Sequence, residues 1–138
     1  MAVHNGDPFL DLTLKSILSQ TYENFDLLIM NDGSTDDSVD IIRSFDDDRI
    51  KLFSQEQAGL AFSLNRLIER SNGELIARAD AGDIYLPKLL ESQVQVFCKH
   101  PEAGVVGSFF DEIDEKGNKL CTRRFPVTNS EIVRYFRI

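Results

Sequence analysis

The chain has 138 residues, 42% of them hydrophobic and 28% charged, and a formal net charge of -8 at pH 7. This length suits one folded domain over residues 1–138, and the composition excludes a disordered chain. The negative charge argues against nonspecific binding to nucleic acid or to an anionic membrane surface. No apolar run is long enough to predict a membrane span.

The two cysteines favour a reducing compartment. Cys98 and Cys121 lack the spacing of a metal site, and we interpret both as structural. We therefore expect a cytoplasmic protein.

The predicted elements alternate between strands and helices. In chain order, the predicted strands cover residues 1–4, 25–30, 50–54, 74–79 and 103–110, and the predicted helices cover 8–21, 39–45, 59–73 and 87–100. A hairpin around Gly117 and a capping box at 128–131, before a last helix, are predicted to follow. Such an alternation is typical of βαβ units, so we predict an α/β fold in three layers, with a mostly parallel sheet and helices on both faces.

Two helix ends are predicted from local signals. Asp7 is a favoured N-cap residue, and Pro8 suits the first position of a helix. Asn72 and Gly73 are typical of a left-handed stop at the end of the third helix.

Polar residues follow three of the predicted strands. They are His4 and Asn5 after the first, Asn31 to Ser34 around Asp32 after the second, and Asp80 to Asp83 after the fourth. In open parallel sheets, ligands bind beyond the carboxyl ends of the strands. Carboxylates gathered there repel one another unless a cation or hydrogen-bond donors hold them. The sequence therefore predicts a binding crevice at this edge of the sheet.

Each of these residues also has a purely structural interpretation. Asp32 would accept hydrogen bonds from turn amides, and Asp83 would order the loop before Pro87. His4 would be a packed or surface side chain, and Arg78 would pair with a neighbouring acid. These alternatives stay open at the level of sequence.

Three segments resemble family 2 glycosyltransferases of the GT-A, Rossmann-like fold. Residues 16–38, SILSQTYENFDLLIMNDGSTDDS, are similar to the family segment that ends in D-D-G-S-T-D. Residues 2–6, AVHNG, are similar to its first-strand motif, and residues 59–87 to the segment that carries the DXD motif. The order of the segments is also that of the family, and the resemblance covers nearly the whole chain.

The resemblance implies a nucleotide-sugar-binding part, with UDP as the typical nucleotide. His4, Asn5, Asp32, Arg78 and Asp80 would bind the nucleotide sugar, Asp32 through a hydrogen bond from the base. A Mg²⁺ or Mn²⁺ ion, expected on Asp80 and Asp83, would neutralise charge on the departing diphosphate. The parent protein would then transfer a sugar, with inversion, to a saccharide or lipid-linked acceptor in cell-envelope polysaccharide biosynthesis.

The sequence departs from the family pattern at two positions. Asn31 stands where the family often has an aspartate, and Gly82 replaces the usual metal-binding aspartate of DADD. Because glycine has no side-chain ligand, an alternative is a non-catalytic nucleotide-binding or interaction domain.

The chain is also expected to be truncated at both ends relative to the family. The catalytic residue is not assigned here, because the family's general base is expected beyond Ile138, and we predict that this chain alone is inactive. Glu112 and Asp114 are interpreted as residues of a solvated turn. Exposed apolar surface at the ends would favour a homo-oligomer, and we expect the parent protein to act at the inner face of the membrane.

Overall fold

The computed structural model describes residues 1–136. The chain divides into two compact units, Met1–Gln95 and Val96–Ile138. The single domain expected over residues 1–138 stays a prediction. In chain order, the elements of the first unit are β1 (Ala2–Val3), α1 (Leu10–Leu18), β2 (Leu27–Asp32), α2 (Ser38–Arg43), β3 (Ile50–Gln55), α3 (Leu60–Arg70) and α4 (Leu89–Lys99), whose last turn enters the second unit.

The first three strands form one parallel sheet. Their order is β1, β2, β3, and the register of the central strand pairs Leu27 with Ile50 and Asp32 with Gln55. Five of the six residues of β2 are buried, Leu28 being half-buried. An uninterrupted apolar run is what a strand covered on both faces requires. The ladder with β3 carries β2 two residues beyond the predicted end, to Asp32.

Helices cover both faces of this sheet. On one face, α1 and α2 share a core with alternate strand residues, namely Met1, Val3, Leu10, Leu14, Ile17, Leu27, Ile29 and Ile42. Side chains alternate along a strand, so Asp32 points to the opposite face. There Gln55 Nε2 donates hydrogen bonds to the carboxylate of Asp32 and to the hydroxyl of Ser63 in α3. The predicted α/β class, with three layers and a parallel sheet, is thus confirmed.

Two predicted helix ends are wrong. The first helix begins at Leu10, not at Pro8, and its N-cap residue is Phe9, not Asp7. The reason is that the amide of Asp7 donates a hydrogen bond to Asp36 Oδ2, which ties residues 4–8 to the loop after β2. At the C-terminal end of α3, Ser71 adopts an extended conformation and Gly73 has no positive φ, so the predicted left-handed stop does not form.

Two predicted strands are absent from the described residues. Residues 74–79 have no strand partner, because the neighbouring edge strand β1 contributes only two residues to the sheet. Residues 103–109 are also irregular, and Val105 is 88% exposed, so the segment has no buried face that would stabilise a strand. Only Phe110, the last residue of that predicted strand, belongs to one.

The second unit contains the predicted hairpin and last helix. β4 (Phe110–Ile113) pairs antiparallel with β5 (Lys119–Arg123), and Gly117 takes φ 81° in the turn. α5 (Asn129–Phe136) begins with the predicted capping box, in which Thr128 and Glu131 exchange side-chain to backbone hydrogen bonds. Both cysteines are free thiols. In residues 1–136, no helix combines the length and apolar character needed to cross a membrane.

Candidate functional site

A cleft of about 460 Å³ lies beyond the carboxyl end of β1. It is lined by residues 4–9 and 80–82, together with Ala2, Leu60 and Arg78. Of the predicted site residues, all within the described part of the chain, His4, Asn5, Arg78 and Asp80 line this cleft, whereas Asp32 and Asp83 do not. Two of the three predicted clusters therefore meet directly in one cleft.

His4 links the cleft to the loops after β2 and β3. Its Nδ1 lies 2.9 Å from the backbone oxygen of Asp32, and its Nε2 lies 3.2 Å from Nε2 of Gln57. A carbonyl oxygen only accepts, so Nδ1 carries the proton, and Nε2 of the neutral ring accepts from Gln57. The imidazole is exposed but held at both nitrogens, so the orientation of this lining residue is fixed.

Asn5 fastens the rim of the cleft to the loop after β2. It has φ 53°, and its Oδ1 accepts a hydrogen bond of 2.9 Å from the amide of Thr35. Its own amide donates to Ser34 Oγ, and the next amide, that of Gly6, donates to Ser38 Oγ. The hydroxyls of the NDGSTDDS segment therefore hold residues 5 and 6 in place.

The carboxylate of Asp32 is buried and occupied by other parts of the chain. It accepts hydrogen bonds of 2.6 to 2.9 Å from Gln55 Nε2 and from the amides of Ala58 and Gly59. Burial opposes its ionisation, but these bonds and one from Ser63 outweigh that effect and lower the pKa of Asp32 to about 2. Asp32 therefore has a structural role, but the amides that it binds belong to the loop after β3 and not, as predicted, to its own turn. Its predicted hydrogen bond to the nucleotide base stays a prediction.

Arg78 and Asp80 form an ion pair at the edge of the cleft. Arg78 Nη2 lies 3.0 Å from Asp80 Oδ2, and the two side chains are 61% and 43% exposed. Ion pairs this exposed contribute little to stability, on the order of 0 to 1 kcal/mol. Either partner is therefore free to exchange the other for a ligand charge at small cost.

Tyr85 connects Asp80 with Asp83 behind the cleft. Its hydroxyl accepts a hydrogen bond of 2.8 Å from the Asp80 amide and also bonds to the Asp83 carboxylate. Burial, reinforced by the charges of the two aspartates, raises the pKa of Tyr85 to about 12. Burial and then the charge of Asp80 raise the pKa of Asp83. The charge of Asp80 thus opposes the ionisation of Asp83, an effect that a cation would relieve.

The donor set here fits a cation that takes most of its ligands from elsewhere. Magnesium sites at phosphates commonly use one or two protein carboxylates, with phosphate oxygens and water as the remaining ligands. Residues 1–136 contain no cluster of three or more His, Cys, Asp or Glu side chains suited to a metal. Gly82 takes φ 100° between the two aspartates and adds only backbone atoms.

The acidic residues of the second unit have structural roles. Glu112 pairs with Arg123 at 2.6 Å and accepts a hydrogen bond from Cys121, while Asp114 accepts the amides of Lys116 and Asn118 in the hairpin turn. Asp114 thus lies in the hairpin turn, as predicted, whereas the turn assignment is wrong for Glu112, which belongs to β4 and pairs with Cys121 of β5.

Sequence reasoning missed the residues that hold the site from outside. Tyr85 is one, and the others are Thr13 and Ser16 of α1 and Gln20, which follows this helix. Their signal in the sequence was faint. Thr13, Ser16 and Gln20 recur at helical spacing beside the apolar stripe of the helix. Polar residues in such a pattern are buried only if another segment of the chain packs on them, and the sequence does not show that segment.

Comparison with known proteins identifies the family. The model of the family described as glycosyl transferase family 2 matches residues 1–137. The chain belongs to glycosyl transferase family 2.

Curated relatives of this glycosyltransferase chain come from several bacteria. It is 36% identical over 127 residues, 87% of the chain, to EpsE of Bacillus subtilis (strain 168), whose name contains the word glycosyltransferase, and covers 46% of it. It is 32% identical over 134 residues, 94% of the chain, to the O-antigen biosynthesis glycosyltransferase WbnJ of Escherichia coli, and covers 52% of it.

A third relative carries a more detailed name. The chain is 32% identical over 110 residues, 79% of its length, to UDP-Glc:alpha-D-GlcNAc-diphosphoundecaprenol beta-1,3-glucosyltransferase WfgD of Escherichia coli, of which it covers 44%. The chain therefore spans about half the length of these relatives.

Proposed function

We propose that the parent protein transfers a sugar from a nucleotide-diphosphate donor, with UDP as the nucleotide, to a hydroxyl acceptor with inversion. The observation that carries this is the meeting of His4, Asn5, Arg78 and Asp80 in one cleft of a family 2 chain. The relative named as using UDP-Glc supports the choice of nucleotide. The chain described here supplies the donor side of the reaction.

The cleft residues have separate roles in this proposal. His4 and Asn5 line the nucleotide, with the imidazole held by the Asp32 carbonyl and by Gln57. Arg78 leaves Asp80 and binds the diphosphate, since a guanidinium matches phosphate oxygens through paired N–H donors. Asp32 fixes the loop that carries Gln57, and it is a candidate acceptor for a base N–H if one of its present donors moves.

Asp80 and Asp83 would hold a Mg²⁺ or Mn²⁺ ion together with the diphosphate. When bound, such an ion acts as a Lewis acid that stabilises charge on the leaving nucleotide. Release of Arg78 leaves Asp80 available for this role, and the raised pKa of Asp83 marks a carboxylate that gains from a nearby cation. Gly82, which lies between these two residues, has no side chain that could bind the ion, so we expect weak metal binding in the absence of nucleotide.

The acceptor and its location are also part of the proposal. One relative's name gives a diphosphoundecaprenol-linked acceptor and another's gives O-antigen biosynthesis. By analogy, we place the parent protein's reaction in envelope polysaccharide synthesis, with a saccharide or lipid-linked acceptor presented at the inner face of the membrane.

Calorimetric titration of the chain with UDP tests the donor site. We expect binding in Mn²⁺ that weakens roughly tenfold when the metal is removed with EDTA or when Asp80 is changed to Asn. Glu112→Gln is the matched control, because it removes a carboxylate that pairs within the hairpin of the second unit. Absence of UDP binding, or equal losses in the Asp80→Asn and Glu112→Gln variants, would contradict the proposal.

Gly82 favours a second candidate, a nucleotide-binding or interaction domain without catalysis. Gly82 stands at the motif position that usually carries the metal-binding carboxylate, and glycine has no side chain that could replace it. In that case, UDP binds equally with and without Mn²⁺, and the full-length protein transfers no sugar. A transfer assay on the full-length protein with UDP-sugars and a lipid-linked acceptor separates the two functions.

A further inference from the structure

The helix α1 turns a buried polar stripe toward the loop that carries Asp80 and Asp83. Thr13 and Gln20 are 0% and 4% exposed, although neither belongs to the apolar core. Ser16 follows Thr13 by three residues on α1, and Gln20 follows Ser16 by four residues, just after the helix ends. This spacing places the three side chains on one side of the helix. A buried polar stripe on a helix needs a partner of matching polarity.

That partner is the backbone of residues 82–90. Thr13 Oγ1 accepts the Gly82 amide at 3.0 Å, and Ser16 Oγ accepts the Tyr85 amide at 3.0 Å. Gln20 acts in both directions, since its Nε2 donates to the Leu86 oxygen at 2.7 Å and its Oε1 accepts the Leu90 amide at 3.0 Å. Each hydrogen bond joins positions more than 60 residues apart in the chain.

These bonds replace the ladder that the loop lacks. Residues 74–86 belong to no strand or helix, and the amides of Asp80, Gly82 and Tyr85 have side-chain acceptors. Ser16 fixes the backbone of Tyr85, and the Tyr85 hydroxyl in turn contacts the Asp80 amide and the Asp83 carboxylate. The position of Ser16 therefore affects the positions of both aspartates. Thr13 holds the Gly82 amide, at the residue with φ 100° that separates the two acids.

We propose that Thr13, Ser16 and Gln20 are positioning residues that set the placement of Asp80 and Asp83 for binding a divalent cation and a diphosphate. This inference rests on the proposed donor site. The three side chains do not line the cleft formed by the described residues, so they act through the loop and not on the ligand.

The test compares Thr13→Val and Ser16→Ala with Ser19→Ala. The first two variants remove an acceptor from the loop, whereas Ser19 is exposed and its hydroxyl bonds only to Ser16 O within the helix. We expect a loss of roughly tenfold in affinity for UDP with Mn²⁺ in Thr13→Val and Ser16→Ala, as for other residues that orient metal ligands. Affinity for UDP in EDTA should stay within about twofold.

A purely structural role would give a different pattern. General destabilisation lowers affinity with and without metal alike, whereas mispositioned carboxylates reduce only the gain from Mn²⁺. Thr13→Ser keeps the hydroxyl and should restore the gain, which covers the case in which Thr13→Val folds poorly. Hydrogen exchange at the Gly82 and Tyr85 amides should accelerate in the two test variants and not in Ser19→Ala.

The outcomes separate the inference from the function on which it rests. If the unaltered chain binds UDP with Mn²⁺ and the test variants bind as tightly as Ser19→Ala, the positioning role is wrong and the donor site stands. If the unaltered chain does not bind UDP, or binds it equally with and without Mn²⁺, the proposed metal site is wrong and the positioning role falls with it.

Discussion

Asp32→Asn tests how strongly one buried carboxylate organises the loop between β3 and α3. The change keeps the shape of the side chain but turns an N–H₂ group toward the amides of Ala58 and Gly59, which now donate to the carboxylate. Burial opposes the charge of Asp32 and the hydrogen bonds more than compensate, so its pKa falls from 3.8 to about 2. At about 1.4 kcal/mol per pKa unit, the ionised carboxylate contributes about 2 kcal/mol to the free energy of unfolding.

The pH dependence has a defined sign. Because the pKa of Asp32 is lower in the folded chain than in the unfolded one, its contribution is present above about pH 4 and is lost as the pH falls toward 2. The variant lacks this titration. The difference between the two proteins should therefore be about 2 kcal/mol at pH 7 and should narrow below pH 4.

Urea unfolding followed by circular dichroism measures this difference. Asp46→Asn, the same chemical change at an exposed loop residue, is the control and should stay within about 0.5 kcal/mol of the unaltered chain. Exchange of the Ala58 and Gly59 amides should accelerate only in Asp32→Asn. Equal stability of Asp32→Asn and Asp46→Asn at pH 7, or a difference that does not change with pH, would refute the reasoning.

Two further predictions concern other positions. Gly82→Asp should strengthen UDP binding in Mn²⁺ relative to Gly82→Asn, roughly tenfold by calorimetry, although both variants should lose about 1 to 2 kcal/mol in urea unfolding because φ is 100° there. Gly33→Ala should cost more than about 2 kcal/mol in urea unfolding, since an added Cβ would lie 2.8 Å from the Gln57 amide nitrogen at φ 71°.

Each of these predictions has a result that would contradict it. Gly82→Asp and Gly82→Asn binding equally would remove the carboxylate argument. Gly104→Ala, where an added Cβ meets open space, is the control for Gly33→Ala, and similar losses in both would mean that the contact with Gln57 does not matter.

The elements that were predicted correctly from the sequence are those whose signals lie within the element itself. β2 was predicted because a strand buried on both faces has a continuous apolar run. α3 was predicted because a helix buried on one face has apolar residues at helical spacing. The capping box at Thr128 was found because both partners lie within four residues. For the same reason, Gly117 marked the hairpin turn.

The parts that failed depend on distant partners. Residues 74–79 have the composition of a strand, but a strand also needs an edge to pair with, and β1 supplies only two residues. Asp7 and Pro8 resemble a helix start, but Asp36 holds the Asp7 amide outside the helix. No local pattern reveals such a competitor.

The candidate site was predicted in part. His4, Asn5, Arg78 and Asp80 do meet in one cleft, although the segment that carries Arg78 and Asp80 forms no strand. Two partners of Asp32 could not be predicted, since the groups of Ala58 and Gly59 that bind it are backbone amides, which are present at every residue but proline.

The most direct test of the donor site is the paramagnetic effect of Mn²⁺ on the NMR spectrum of the ¹⁵N-labelled chain with UDP, taken against Mg²⁺ and UDP as the diamagnetic reference. We predict the strongest broadening at the amides of residues 80–83, with weaker broadening at residues 4–9. Broadening that spares residues 80–83, or that is centred on Glu112 and Asp114, would contradict the site.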